Sequence, residues 1–210
     1  MKRTKLYLMG IGIAALFLLA PQARAEMQSG LFRIHLDTPI LGVGVGSVDP
    51  DGPGGKSSFS GFQVGLGTPS MGLGLGGTLG KGFVLGGKAT VAMAASDWYL
   101  ADESEHFVWS LVPYIEYVFL KGLARPFVMG QLGFEGMHDT MGDVKFGWWS
   151  FLFGIGGGVH FMLSPKVSID ALLDLQQRFG TGRTKVGPVK DGFNHWRFSM
   201  NILLGLSIWL

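Results

Sequence analysis

Residues 71–87 read MGLGLGGTLGKGFVLGG, and Gly72-Leu73-Gly74-Leu75-Gly76-Gly77 spells G-x-G-x-x-G. In that spacing glycines let a backbone approach a pyrophosphate, provided a strand precedes them and a helix follows. Here Thr78-Leu79-Gly80-Lys81-Gly82 is a turn signal, and Phe83-Val84-Leu85 then begins another strand. Asp97 stands where an acid would meet a ribose, but it opens a polar segment. The glycines instead occupy every second position, as the small face of a strand does. Asp49-Pro50-Asp51-Gly52-Pro53-Gly54 offers oxygen donors without the ligand spacing or closing Glu of a calcium loop. The five His stand singly, none with a second ligand at metal spacing. His195 and Ser199, at i and i+4, come nearest to a base and a nucleophile, with no acid placed to orient them. No cofactor, no metal and no catalytic set is expected.

The chemistry-bearing residues therefore need a frame. The chain starts MKRTKLYLMGIGIAALFLLAPQARA: a basic start, an apolar run from Leu6 to Ala20 too short to span a bilayer, and small residues at Ala23 and Ala25. This is the pattern of a cleaved secretory signal peptide over residues 1–25, leaving one domain over 26–210. Four of the 17 Lys and Arg lie in that leader, leaving 13 against 15 acids. With no basic excess, nucleic acid is not an expected partner. An exported chain with no Cys is held by packing and hydrogen bonds. Charged residues make up only 15% and mean hydropathy is +0.33. Yet no later apolar run reaches the ~20 residues of a spanning helix. A chain this apolar can otherwise sit in lipid only as a closed β-barrel, where every backbone polar group finds a partner.

Period two supports that choice. In HWRFSMNILLGLSIWL the even positions Trp196, Phe198, Met200, Ile202, Leu204, Leu206, Ile208 and Leu210 are all apolar. The odd positions begin His195, Arg197, Ser199, Asn201. Alternation this long is a strand signal, with one face for lipid and one for a barrel interior. Similar alternation predicts strands near 166–178, 147–162, 126–136, 107–120 and 82–95. Gly80–Gly82, 121–124 and 163–166 are short connections. Residues 49–57, 96–106, 136–146 and 180–194 are polar, Gly- and Asp-rich, and read as long loops. Short turns at one end and long loops at the other suit a barrel with its turns in the periplasm. Between Leu31 and Leu79 the apolar parity slips at Thr38-Pro39 and again at Thr68-Pro69. Each Pro marks a bulge within one strand or a turn between two. Bulges give eight strands and turns give ten. Leu31–Asp37 is shorter than the ~9–11 residues a spanning strand needs, which favours eight.

Eight strands enclose an interior just wide enough to fill with side chains. Parity points Arg33, His35, Asp37, Gln63, Lys88, Glu116, Gln131, Glu135, His160, Asp170, Asp174, Arg178, His195, Arg197 and Asn201 inward. Both signs of charge are present, so ion pairs between strands are expected. Outward Trp residues suit the membrane interfaces, whereas Trp148 and Trp209 point inward and would pack the barrel ends. A soluble exported barrel of the lipocalin type would require the opposite faces, apolar in and polar out.

The leader, the Gly-rich alternating strands and the last strand resemble the small outer-membrane β-barrel family that includes the barrel part of OmpA and OmpX. The end, Gly205-Leu206-Ser207-Ile208-Trp209-Leu210, is similar to the assembly signal of this class through Gly205, Ile208 and Leu210, with Leu where the family usually ends in Phe. The resemblance implies export through the Sec pathway and handling by periplasmic chaperones and the barrel assembly machinery. It further implies a monomer among outer-membrane lipids and lipopolysaccharide, with a structural or surface-interaction role. A narrow pore and a lipid-modifying enzyme are the alternatives it leaves.

Overall fold

The computed structural model describes residues 30–51, 55–64, 72–96, 104–119 and 122–210. Ala23, Ala25, Trp98 and Thr68-Pro69 lie outside the described residues, as does the side chain of Gln63. The described segments are β1 (Phe32–Pro50), β2 (Ser57–Val64), β3 (Gly72–Gly80), β4 (Phe83–Ser96), β5 (Ser104–Val118), β6 (Ala124–Met141), β7 (Val144–Ser164), β8 (Val167–Val186) and β9 (Val189–Trp209).

They form one antiparallel up-and-down sheet that closes on itself through β1 and β9. Nine segments make eight staves. β2 and β3 both pair with the same edge of β1, β2 against Leu41–Val48 and β3 against Phe32–Asp37. Thr38-Pro39 is a bulge within β1: the register against β9 shifts between Pro39 and Leu41. Proline supplies no N–H to a ladder, and a bulge is where a strand tolerates that loss. The same step moves the exposed positions from Phe32 and Leu36 to Val43 and Val45.

The glycine stretch is strand. Gly72, Gly74 and Gly76 are buried while Leu73 and Leu75 are about half exposed. A tight turn follows, with Gly80, Lys81 and Gly82 all at positive φ (92°, 54° and 87°), where Gly pays little steric cost.

The strands reach further than apolar alternation predicts. Residues 136–146 and 180–194 were expected as long loops, and both are antiparallel ladder. Met141 pairs with Val144 around Gly142-Asp143, and Val186 pairs with Val189 around Gly187-Pro188. β7 and β9 each hold 21 residues. At ~3.4 Å per residue and a tilt of ~40°, each rises roughly 55 Å, about twice the ~25 Å apolar band of such barrels. Alternating apolar residues mark only where a strand touches lipid. The same ladder continues beyond it with polar residues outside.

Two ends can thus be distinguished. The terminal end carries the seam between Phe32 and Leu210, whose N–H and C=O groups bond reciprocally at 2.9 and 2.8 Å. The distal end carries the extended hairpins of β6–β9.

Candidate functional site: the barrel interior

Arg33 on β1 lies at the centre of the terminal half of the interior. Its Nη1 donates to Glu116 Oε1 at 2.8 Å and its Nη2 to Oε2 at 2.9 Å, a two-pronged pairing between β1 and β5. Nη2 also donates to Tyr114 Oη at 2.8 Å. The guanidinium carbon lies 5.4 Å from the Tyr114 ring centre and 5.0 Å from that of Trp209, within cation–π range. His160 on β7 joins the group. Its Nε2 is 3.1 Å from Glu116 Oε1 and its Nδ1 is 2.7 Å from Asp170 Oδ1. Asp170 accepts from Ser168 Oγ at 2.8 Å and from Ser207, and Trp209 Nε1 donates to Ser168 Oγ at 3.3 Å. Phe127 stacks on the His160 ring at 4.2 Å. Arg33, Glu116 and His160 are no more than 2% exposed. Charges withheld from water this fully persist only when paired and hydrogen-bonded, as these are.

Glycine makes the room. A Cβ on Gly74 would overlap the His35 ring. Cβ atoms on Gly76 and Gly86 would fall within 3 Å of Tyr114 Oη. The strand that spells a dinucleotide motif is therefore a bed for His35 and Tyr114, and Tyr114 in turn holds Arg33.

A second group lies distal to this one. Lys88 Nζ contacts Asp37 Oδ2 at 2.5 Å, and His35 Nε2 is 3.8 Å from the same carboxylate. Asp174 accepts from Gln131 at 2.7 Å and from Gln176 at 2.5 Å. Arg178 Nε pairs with Glu135 at 2.6 Å, and Arg178 also donates to Ser199 and Gln176. Asn201 donates to Ser199 at 3.4 Å. Arg197 directly opposes Arg178 across β8 and β9 and is exposed at the mouth of this group. These residues, His35 excepted, line a cavity of about 230 Å³. Around Arg33 and His160 the free space falls to about 30 Å³. Val84, Val118, Met162 and Trp209 are buried at the terminal end, where the interior is packed.

Above the cavity a row runs across the wall: Glu135, Ser150, Gly180 and His195, each opposite the next. Ser150 Oγ and His195 Nε2 lie 2.8 Å apart. The smallness of Gly180 allows it, because a Cβ there would meet the His195 ring at 2.7 Å. Sequence spacing gave no sign of this contact: the nearest serine–histidine pair it offered was His195 and Ser199, and Ser199 instead accepts from Arg178 and Asn201. Chemically the contact is a nucleophile beside a base. Ser150 is 0% exposed, however, and its Oγ is closed to any substrate in this state.

The two faces exchange character near this row. Up to it, the outward face toward lipid carries Phe134, Phe151, Phe153, Phe179, Met200, Ile202 and Leu204, with Trp149 one step past it, all exposed. Further out the same outward face carries His138, Lys145, Arg183, Lys185 and Lys190. The inward face of the extension becomes apolar instead: Phe146 stacks on Phe193 at 5.4 Å, and Trp148 meets the edge of His195.

Parity alone assigned the side of each charged residue. It gave no hint of Tyr114, Ser168, Ser207 and Ser150 as partners, because uncharged hydroxyls on a strand face carry no spacing signal. Gly205, Ile208 and Leu210 do not form a cluster. Gly205 sits inward, where a Cβ would lie 2.9 Å from Leu36 O, whereas Ile208 and Leu210 are exposed on the outside. Among the described residues no group of three or more His, Asp or Glu is arranged to hold a metal ion.

No family model matches the sequence, and no curated protein matches it. Among solved structures, the chain is similar to neisserial surface protein A, with 16% identity and a TM-score of 0.46 over 85% of this chain and 98% of that one. It is similar to Ail, the attachment invasion locus protein of Yersinia pestis solved with the heparin analogue sucrose octasulfate, with 12% identity and a TM-score of 0.40 over 84% and 99%. It is also similar to the outer membrane protease OmpT from Escherichia coli, with 7% identity and a TM-score of 0.42 over 90% and 99%. By its own geometry, a closed ring of eight staves with an apolar outside and an ion-paired inside, this chain has the architecture of a small outer-membrane β-barrel.

Proposed function

We propose that the protein is a solute-tight outer-membrane barrel that anchors an exported β-sheet at the cell surface, with a structural or surface-interaction role. The observation that carries this reading is the buried Arg33–Glu116–His160–Asp170 network, which fills the interior where free space is least. A pore needs water along its axis, and this layer is paired side chain to side chain. The distal end faces outward, because the longer connections of such barrels lie at the cell surface and the distal hairpins of β6–β9 are the ones that run on past the apolar belt. The enzymatic alternative is disfavoured by the enclosed Ser150. Outer-membrane lipid is the solvent of the belt, and Gly205, Ile208 and Leu210 are the residues offered to assembly factors. The working unit is a monomer without a cofactor.

Planar bilayer recording tests the reading. Purified protein is expected to give no reproducible conductance steps, and regular steps from the unmodified chain would replace it with the pore reading. Mass spectrometry of lipid A from cells with and without the protein checks the enzymatic alternative, with identical spectra expected.

A further inference from the structure

We propose that the outward face of the distal extension binds the phosphate groups of a phosphorylated glycolipid in the outer leaflet. The inference rests on the distal end lying at the cell surface, as proposed above. Lys145, Lys185 and Lys190 stand directly opposite one another on β7, β8 and β9. At ~4.8 Å between strands, the row spans about 10 Å. Arg183 lies two residues nearer the membrane on the same face, between Gly147 and Gly192, in the row that His138 begins. All four cations are exposed. Like charges placed directly opposite on neighbouring strands repel, so the row does not hold the sheet together. It suits a ligand carrying several negative charges.

Two acids flank the cations on this face: exposed Glu105 ends the lysine row beyond Thr140, and Asp51 ends the Arg183 row beyond Gly192. Asp191 has the opposite parity on β9 and faces inward, and Asp143 is in the turn. Asp49 pairs with Asn194 on the β1 edge, and Asp51 accepts from Asn194 at 3.3 Å and covers Gly192.

Position along the strands points to lipid as the source of the anion. On β8 the outward residues run Phe179, Thr181, Arg183, Lys185, from apolar belt to cation without a break in register. Arg183 is four residues beyond Phe179, roughly 10 Å higher at ~3.4 Å per residue and ~40° tilt. The headgroup layer is about 5–8 Å deep on each side of the hydrocarbon. Long cationic side chains close most of that difference by reaching down to it. A hollow of about 570 Å³ lies here, bordered by Lys145, Arg183, Lys185, Lys190 and, at its lower edge, Trp149. One amphiphile can therefore rest its acyl chains on the belt and place its phosphates among the cations, with Arg183 as the two-pronged donor.

The test uses the full-length folded protein in neutral detergent micelles. Native mass spectrometry reads the binding of a bisphosphorylated glucosamine-disaccharide lipid and of the same lipid after dephosphorylation. The unmodified protein is expected to prefer the phosphorylated form roughly tenfold or more. The variant carrying K145Q, R183Q, K185Q and K190Q is expected to lose that preference while keeping its heat-modifiable gel mobility. Should this variant fail to fold, R183Q with K185Q carries the same test with half the charge removed. Equal binding of the two lipids, or an unchanged preference in a folded variant, overturns the proposal. Inorganic phosphate competing at the lipid's own concentration overturns the assignment to lipid. Failure of the membrane reading itself shows separately, as release of the protein by salt without detergent.

Discussion

The wall in the membrane and the wall beyond it are built from the same strands and obey opposite rules. On β7, Phe151 and Phe153 face out while Ser150 and His160 face in. A few residues further along, Lys145 faces out while Phe146 and Trp148 face in. No bulge separates the two halves: the β7–β8 register runs unbroken from Val144 to Met162. The backbone is indifferent to the change, because its hydrogen bonds are complete within the sheet on either side. What differs is the solvent outside. Lipid takes the apolar face and leaves charge to be paired within, whereas water takes the charged face and leaves Phe146 and Phe193 to pack within. The row Glu135–Ser150–Gly180–His195 is the boundary, polar from below and ring-packed from above.

Four substitutions break or sharpen that contrast. The largest effect is expected for Glu116→Ala. It strands a buried guanidinium and should cost about 3–5 kcal/mol, read as a lower urea midpoint for unfolding from vesicles. A loss below ~1 kcal/mol would mean that the network does not hold the lower wall. Next comes Leu173→Arg on the lipid face, expected to cost about 2–4 kcal/mol in the same assay. Ser150→Ala at the boundary leaves His195 without its partner and should cost roughly 1–3 kcal/mol. Its chemical effect on lipid should be nil by mass spectrometry. Thr181→Arg places the same side chain as Leu173→Arg on the same face of the same strand, but at the upper edge of the belt, level with Trp149. It should cost no more than about 1 kcal/mol. Equal costs for the two arginines would erase the distinction between the regions.

The same contrast explains how much could be read without a structure. Six spanning strands and the eight-stave ring follow from alternation, because lipid imposes one unmistakable face. The bulge at Thr38-Pro39 follows from a parity slip and the chemistry of proline. The distal hairpins do not, although Val144-Lys145-Phe146-Gly147-Trp148 also alternates. Its faces are reversed, and Gly142-Asp143 and Gly187-Pro188 look like loop composition. The soluble-barrel assignment, apolar in and polar out, describes this part of the wall even though it fails for the rest. Inside the barrel, strand parity tells the side but not the partner. Whether Arg33 meets Glu116 or Glu135 depends on how far each strand is staggered around the ring. That stagger sums over every hairpin and bulge, so no local stretch contains it. The Ser150–His195 contact is a case in point, because it crosses an intervening strand through the single gap at Gly180.

The seam carries a consequence of another kind. β1 is hydrogen-bonded to β9 along nearly its whole length, and the reciprocal bonds of Phe32 and Leu210 end that ladder. Until those two strands meet, each presents an unpaired edge, the feature most prone to pairing with the wrong chain. The two strands that must find each other are the first and last in the sheet, so this pairing has the largest loop-closure cost and comes late. Exposure to mispairing is therefore concentrated in time rather than in any region of the finished molecule. Once the ring has shut, the described sheet has no free edge left along the β1–β9 seam for another strand to find.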